Sequence, residues 1–443
     1  MNSPEGNRPP QEGSQGELSI EVKKELSREE LISRANKVLL LFAERAIPSL
    51  REEVREGKGR QVVASTQEGR PGEELIGIDQ PAENILKAAI REAQLPAILI
   101  SEGTPEPTEF GNGATEKFYV YSDPFDNSSP YKRGLDIPPY TVCSIWDKDG
   151  QPIGAVVGDI QNRKAYVSMG GETFMWDLEQ KPLARQSSIE RTNKLISDEI
   201  VLLERKRQSI NGTPEQLQQL SEVDRQLFDL RERVQKEQEG LFERQKQEPE
   251  RKKITRSERT TLRDRNSTLA SFVGENEYSL EFFKYFGQLV KDMDRKGFLY
   301  TGGGAYIYGL LASGAIDAYV MFNEPVSEII PGVPLALATG CTVVSVNEDG
   351  TYREFKFDPN ALRENYKLYS EGVVPLFIAT ATPEIRDQII KYYLEEKTRS
   401  KAEETKQEDL ATELTELRKF RDSRPAEEIE LFRALQKQNP STS

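Results

Sequence analysis

A long charged segment with regularly spaced apolar residues divides this chain of 443 residues into two globular parts. Between Arg185 and Gln247 the apolar residues recur at heptad spacing, which is typical of helices that pack along a narrow seam. Near its middle, Asn211-Gly-Thr-Pro-Glu-Gln216 combines a turn, a capping threonine and a proline suited to a first helical position. We therefore predict an antiparallel helical hairpin inserted into a larger fold.

The two flanking parts show the mixture of helices and strands that is typical of α/β proteins. Apolar periodicity predicts the following elements in the first part: a helix from about 18 to 57 with Pro48 as a candidate break, a helix at 80–93, and strands at 97–100, 118–121, 140–146 and 152–159. The same criteria predict these elements in the second part: a strand at 269–273, helices at 278–296 and 305–314, a strand at 376–381 and a helix at 383–393.

Composition excludes several kinds of chemistry. The chain has no histidine, which rules out histidine general bases and histidine-ligated metals. Its two cysteines, Cys143 and Cys341, match no metal or redox spacing, and we expect two core thiols without a disulfide. The net charge of -14 disfavours nucleic acid as a partner, and the basic stretch 251–265 is expected to be a solvated linker. Hydrolytic chemistry would therefore depend on carboxylates, hydroxyls and a hard metal.

No targeting or membrane segment is predicted. No stretch approaches 18 uncharged apolar residues, and the N-terminus is polar with several glycines and prolines. We expect a cytoplasmic protein that does not enter a membrane.

The segment richest in functional residues is Tyr121-Ser-Asp-Pro-Phe-Asp-Asn-Ser-Ser129, which follows an apolar strand. Asp123 and Asp126 lie three residues apart around a proline that stiffens the turn, so two carboxylates can face one cation. Mg²⁺ prefers about six oxygen ligands and usually keeps water and phosphate among them. A solvated acidic turn is the alternative interpretation of this motif taken alone.

The neighbouring motifs resemble the inositol monophosphatase superfamily of lithium-sensitive phosphatases. Asp123-Pro-Phe-Asp-Asn-Ser128 is similar to its Asp-Pro-Ile-Asp-Gly-Thr signature, Ile78-Asp79-Gln80 to its Thr-x-x-Asp segment, and Ile98-Leu-Ile-Ser-Glu102 to its strand ending in Gly-Glu-Glu. Gly302-Gly-Gly-Ala-Tyr306 and Ser313 to Tyr319 resemble its later helix and Asp-Ala-Tyr strand. The resemblance covers about 30–182 and 266–394, and it implies a layered α/β/α/β/α sugar-phosphatase fold.

This resemblance assigns a site residue by residue. The implied metal ligands are Glu102, Asp123, the carbonyl of Phe125, Asp126 and Glu328, and the implied metal is Mg²⁺. Glu328 stands where the family has an aspartate, which lengthens that ligand by one methylene. The remaining assignments by resemblance are Asp79, Ser128 and Glu102 in catalysis, Asn127 and Ser128 in phosphate binding, and Gly303 and Met321 in the substrate pocket.

With these assignments the chain divides into five segments. They are a disordered leader, 1–17; an N-terminal catalytic α+β half, 18–182; the helical hairpin with its basic linker, 183–265; a C-terminal α/β half, 266–394; and a charged helical or disordered tail, 395–443.

The function implied is a Mg²⁺-dependent phosphomonoesterase acting on a small phosphorylated metabolite, a sugar, inositol or nucleotide phosphate. Met321 occupies the position at which inositol-selective members have a glutamate, so inositol phosphate is not the first expectation. Family members commonly form homodimers, and a homodimer is expected here. The alternative is an interaction protein that kept the fold but acts through its hairpin and tail.

Overall fold

The computed structural model describes residues 26–65, 74–101, 106–111, 114, 116–135, 137–178, 205, 222–227, 229, 232, 251–274, 276–358 and 372–422. The predicted hairpin from Arg185 to Gln247 falls almost entirely outside these residues, as do the leader at 1–17 and the end of the tail beyond 422. These three expectations remain predictions.

The described elements follow each other in an alternating order. The strands are β1 Val62–Ser65, β2 Glu74–Ile76, β3 Ala97–Ser101, β4 Thr108–Phe110, β5 Phe118–Asp126, β6 Tyr140–Trp146, β7 Pro152–Asp159, β8 Lys164–Met169, β9 Glu172–Asp177, β10 Arg251–Lys253, β11 Thr268–Ala270, β12 Phe298–Tyr300, β13 Ala318–Pro325, β14 Thr342–Val346, β15 Tyr352–Glu354 and β16 Val373–Thr380. The helices are α1 Arg28–Arg55, α2 Asp79–Ala93, α3 Ser128–Lys132, α4 Asn276–Asp292, α5 Ile307–Ala312, α6 Val326–Ile329, α7 Val333–Ala338 and α8 Pro383–Asp422.

Two mixed sheets form the framework. The first has the strand order β10-β9-β8-β7-β6-β5-β3-β4, in which β3 and β5 run parallel and the other neighbours are antiparallel. The second has the order β12-β11-β13-β16-β14-β15, with β11 parallel to both β12 and β13. Strands β1 and β2 pair separately.

Three apolar cores show how the layers stack. Helices α1 and α2 cover the outer face of the first sheet, where Phe42 of α1 shares a core with Val120 of β5. Helices α5 and α7 lie between the two sheets, in a core that joins Leu335 of α7 to Val157 of β7 and Phe377 of β16. Each helix therefore buries its apolar face against a sheet, as layered folds require.

Helices α4 and α8 complete the stack on the other face of the second sheet. Phe286 of α4 and Ile389 of α8 share a core with Val320 of β13. The order of layers is helices, sheet, helices, sheet and helices, which confirms the predicted α/β/α/β/α fold class.

Helix α1 continues through the candidate break at Pro48. Its start is fixed by a capping box, in which Ser27 and Glu30 bond each other's backbone N–H, and it runs to Arg55. A proline inside a helix costs about 3 kcal/mol. Ile47 and Leu50, on either side of Pro48, are fully buried, and each buried side chain of this size contributes about 1.5–3 kcal/mol. Packing on both sides of the proline thus holds the helix together.

The segment predicted as a solvated basic linker is built into the fold. Its first residues form β10 at the edge of the first sheet, paired with β9. Arg259 donates to both carboxylate oxygens of Asp317, at 3.0 and 3.2 Å, and Asp317 is 1% exposed. The linker prediction was wrong on this point because an arginine can pair with a buried carboxylate that sequence spacing does not reveal.

Other element boundaries differ in ways that affect the site. Strand β5 extends to Asp126, past the predicted end at 121, so the two aspartates lie on the strand itself. The helix predicted at 383–393 and the helical tail predicted after 395 form one helix, α8, that reaches Asp422. None of the described helices is long and apolar enough to cross a membrane.

Candidate metal centre

An irregularity in strand β5 brings its two aspartates to the same side. Asp123 pairs with Val142 of β6 and Asp126 pairs with Tyr140, so three steps along β5 correspond to two along β6. Side chains three apart on a regular strand point to opposite faces, and one extra residue reverses that alternation. The bulge therefore lets both carboxylates converge at the end of the strand.

A third carboxylate reaches the same point from the second half of the chain. One carboxylate oxygen from each of Asp123, Asp126 and Glu328 lies within 4.8 Å of the other two. Asp123 and Asp126 are 3% and 5% exposed, and Glu328, on the short helix α6, is half-buried. The described part of the chain holds one such group of potential metal ligands.

The glycine-rich segment 302–306, here called the glycine loop, fixes two of these carboxylates. The backbone N–H of Ala305 donates to Glu328 Oε2 at 2.9 Å, and the N–H of Tyr306 donates to Asp126 Oδ2 at 2.7 Å. Gly304 has a φ of +120°, and a β-carbon there would lie 2.6 Å from Asp126 Oδ1. Glycine is required at this position because both the backbone angle and the close carboxylate exclude a side chain.

The donor set fits a hard divalent cation. Three carboxylates this close repel one another, and a cation between them removes that repulsion. The converging ligands are carboxylate oxygens with no thiol among them, and the chain has no histidine. Such oxygen donors suit Mg²⁺, Ca²⁺ or Mn²⁺ rather than zinc or copper.

Stacked tyrosines form one wall beside Asp126. The rings of Tyr140 and Tyr306 are 4.2 Å apart between centroids and inclined by 12°, and the hydroxyls of Tyr306 and Tyr300 are 2.9 Å apart. Burial, followed by the proximity of Tyr300 and the charge of Asp126, raises the pKa of Tyr306. The phenols stay neutral at physiological pH, and the wall limits access of water to this side of the site.

The predicted residues around the phosphate lie close to the start of two helices. Asp79 begins α2, is 9% exposed, and accepts the Ile76 N–H at 2.8 Å. Asn127 has a φ of 68° and its side-chain amide donates to Pro138 O at 2.9 Å, in agreement with the expectation that asparagine tolerates a left-handed turn there. Ser128, half-buried, is the first residue of α3.

Two further predicted ligands are in different positions to be assessed. Glu102 lies outside the described residues; Ser101, directly before it, pairs with Ser122, directly before Asp123. Phe125 is 2% exposed, and its ring meets that of Tyr131 edge-on at 5.2 Å. The aromatic ring thus anchors the chain between the two aspartates.

The two predicted pocket residues are packed inside the molecule. A β-carbon on Gly303 would lie 2.7 Å from both Phe272 Cβ and Tyr319 Oη, so the loop backbone rests directly on these side chains. Met321 is 4% exposed, belongs to the core between the sheets and pairs with Phe377 of β16.

The sequence analysis missed a buried acid next to this site. Glu324, near the end of β13, is 1% exposed, and Tyr319 Oη lies 3.0 and 3.1 Å from its two carboxylate oxygens. Burial and then the charge of Glu328 raise the pKa of Glu324 well above its usual range. The signal in the sequence was a single acidic residue at the end of the apolar run 318–322, which we did not weigh.

No protein-family model matches the sequence, and no curated protein matches it either. Solved structures similar to this chain include the extragenic suppressor protein SuhB of Bartonella henselae, at 13% identity and a TM-score of 0.47, covering 82% of this chain and 98% of that one. Also similar are an IMPase of Thermotoga maritima, at 13% identity and 0.47, covering 81% and 97%, and the inositol monophosphatase of Anabaena, at 13% and 0.44, covering 83% and 96%. Because these values are low, the fold class rests on the strand order and layers described above.

Proposed function

We propose that this chain is a Mg²⁺-dependent phosphomonoesterase that hydrolyses a small phosphorylated metabolite, a sugar, inositol or nucleotide phosphate. The convergence of Asp123, Asp126 and Glu328 within 4.8 Å carries this proposal. These acids come from positions more than 200 residues apart in the sequence, and an accidental acidic turn would not bring them together. The motif resemblance supplies the reaction class.

Asp123, Asp126 and Glu328 would hold Mg²⁺, joined in this proposal by Glu102 and the carbonyl of Phe125. Mg²⁺, when bound, polarises phosphoryl oxygens and lowers the pKa of water, which is the chemistry that in-line hydrolysis of a phosphate ester needs. The glycine loop contributes by keeping two of the carboxylates in fixed positions before any ligand arrives.

Two hydroxyl and carboxylate groups complete the proposed mechanism. Ser128 would bind the phosphate and orient the attacking water through its hydroxyl, with Asn127 providing the turn that leads into it. Asp79 would orient that hydroxyl as a hydrogen-bond acceptor. The Ile76 N–H that Asp79 accepts restrains its carboxylate.

The substrate is proposed to differ from inositol phosphate. Met321 is apolar and buried where inositol-selective enzymes of the resembled family have a glutamate for the ring hydroxyls. We also propose, by the same resemblance, that the enzyme is a cytoplasmic homodimer.

The test is phosphate release from a panel of sugar phosphates, inositol phosphates and nucleotide 3′-phosphates, with and without Mg²⁺. Asp126→Asn removes one ligand charge and should lower turnover at least about 100-fold, since a misplaced or missing ligand disturbs the whole constellation. Asp149→Asn is the matched control, because Asp149 is exposed in the turn at the other end of β6 and should leave turnover unchanged.

A second candidate function is an interaction module that retains the fold. The observation in its favour is helix α8, whose described side chains from 401 to 416 are all exposed, including the apolar Leu410 and Leu414 at 50% and 54%. Silence across the substrate panel, together with no Mg²⁺ binding by calorimetry, would favour this second function.

A further inference from the structure

The end of β13 contains a second strand irregularity, separate from the bulge in β5. Tyr319 and Met321 face the core between the sheets, whereas Val320 and Phe322 face the core under α4 and α8. Regular alternation would direct the side chain of residue 324 to the same side as Phe322. Its carboxylate instead meets Tyr319 Oη on the inner side.

The backbone at Asn323 accounts for this reversal. Asn323 has a φ of 52°, in the left-handed region that non-glycine residues rarely adopt. By the antiparallel register of β13 with β16, Asn323 lies opposite Pro375, which has no N–H to pair with it. A conformation of this kind costs about 1–3 kcal/mol and persists only where surrounding contacts over-determine it.

The contacts that Glu324 makes lead towards the metal ligands. Tyr319 Oη, which bonds Glu324, also lies where a β-carbon on Gly303 would be, at 2.7 Å. The two residues that follow Gly304 in the glycine loop are Ala305 and Tyr306, whose amides hold Glu328 and Asp126. One continuous path of contacts therefore runs from the buried acid to two of the three carboxylates.

We propose that Glu324 is a positioning residue for the metal centre, which holds Tyr319 against the glycine loop and so keeps the Ala305 and Tyr306 amides aimed at Glu328 and Asp126. This inference rests on the magnesium site proposed above. A leucine at 324 would fill the space but leave the Tyr319 hydroxyl without a buried acceptor, whereas a glutamine has nearly the same shape and keeps one.

Amide hydrogen exchange tests the proposal without requiring activity. Peptides containing Ala305 and Tyr306 are compared with peptides from β13 in the wild type, Glu324→Leu, Tyr319→Phe and Glu324→Gln. Exchange of the glycine-loop amides should be about tenfold faster in Glu324→Leu and Tyr319→Phe and unchanged in Glu324→Gln, because only the first two remove the hydrogen bond. The double variant Tyr319→Phe with Glu324→Leu should add little to either single change.

The matched control is Tyr308→Phe, in the same core and two residues beyond the loop. Tyr308 Oη is fully buried and has no hydrogen-bond partner among the described residues, so its removal should leave the loop amides unchanged. If Tyr308→Phe accelerates exchange as much as Tyr319→Phe, the effect is general loosening and the proposal is wrong. A wild-type loop that is unprotected, or equal exchange in Glu324→Leu and wild type, also overturns it.

Mg²⁺ titration by calorimetry separates this inference from the proposed function. Glu324→Leu and Tyr319→Phe should weaken Mg²⁺ binding about tenfold, and Glu324→Gln should restore it, as expected for a group that orients ligands. A wild type that binds Mg²⁺ but hydrolyses nothing removes the proposed function and leaves this inference standing. Unaltered Mg²⁺ affinity in both loss variants removes this inference and leaves the function standing.

Discussion

The substitution Gly304→Ala places a methyl group against one of the proposed metal ligands. At the φ of +120° a β-carbon would lie 2.6 Å from Oδ1, 3.0 Å from Oδ2 and 3.2 Å from Cγ of Asp126. An ordinary contact begins at 3.4 Å, so the carboxylate must retreat by about 0.8 Å. That movement takes it away from the Tyr306 N–H, which it now accepts at 2.7 Å.

The expected loss combines a backbone cost and a ligand cost. An alanine at such a backbone angle costs about 1–3 kcal/mol, and a weakened hydrogen bond to a charged group costs about 1.5–3 kcal/mol. The first cost lowers the free energy of unfolding alone, whereas the second also disturbs the metal site. Displacement of an oriented ligand typically lowers metal affinity about 10–100-fold, or about 1.4–2.7 kcal/mol.

Calorimetric Mg²⁺ titration, beside thermal unfolding, measures both costs. Gly171→Ala is the matched control, because Gly171 has a φ of +80° but a β-carbon there would meet nothing within 4 Å. Both variants should unfold at lower temperature, and only Gly304→Ala should lose Mg²⁺ affinity. Wild-type affinity in Gly304→Ala, or an equal loss in Gly171→Ala, would refute the assignment of Asp126 as a ligand held by the glycine loop.

Three further outcomes are expected. Glu328→Asp withdraws the carboxylate by about one bond length from the Ala305 N–H and should weaken Mg²⁺ binding about tenfold by calorimetry. Tyr392, the main cause, lowers the pKa of Asp292 below its ordinary 3.8. Asp292 therefore adds stability that is complete above pH 3.8 and lost as the pH falls below it, so the difference in melting temperature between wild type and Asp292→Asn should shrink on acidification, and a constant difference would contradict this. Leu39→Ala empties a fully buried position and should lower the free energy of unfolding by about 2–5 kcal/mol in urea titration.

The element types were readable from sequence because local periodicity encodes them. The apolar spacing along α1 predicted the face that carries Val38, Leu39 and Phe42, and all three are fully buried. Element boundaries were less accessible. The end of β5 was placed five residues too early, because Pro124 suggested a turn and its tolerance in a bulged strand depends on the pairing partner β6.

The proposed ligands were readable as residue types but not as a set with geometry. Asp123 and Asp126 stand three apart, a spacing that would separate them on a regular strand, and only the register of β5 with β6 reveals the bulge that reunites them. Glu328 was found by counting from a resembled motif, and its nearness to the two aspartates depends on how the second sheet stacks on the first.

The sequence by itself determined the layered α/β architecture, the reliance on carboxylates in a chain without histidine, and the need for a left-handed residue at Asn127. Each of these follows from composition or from neighbours along the chain. Only the tertiary structure decided that Ala305 and Tyr306 hold the ligands, that Glu324 turns inward, and that Gly304 must lack a side chain. Those features depend on contacts between residues distant in sequence, and no local pattern encodes the distance between two such groups.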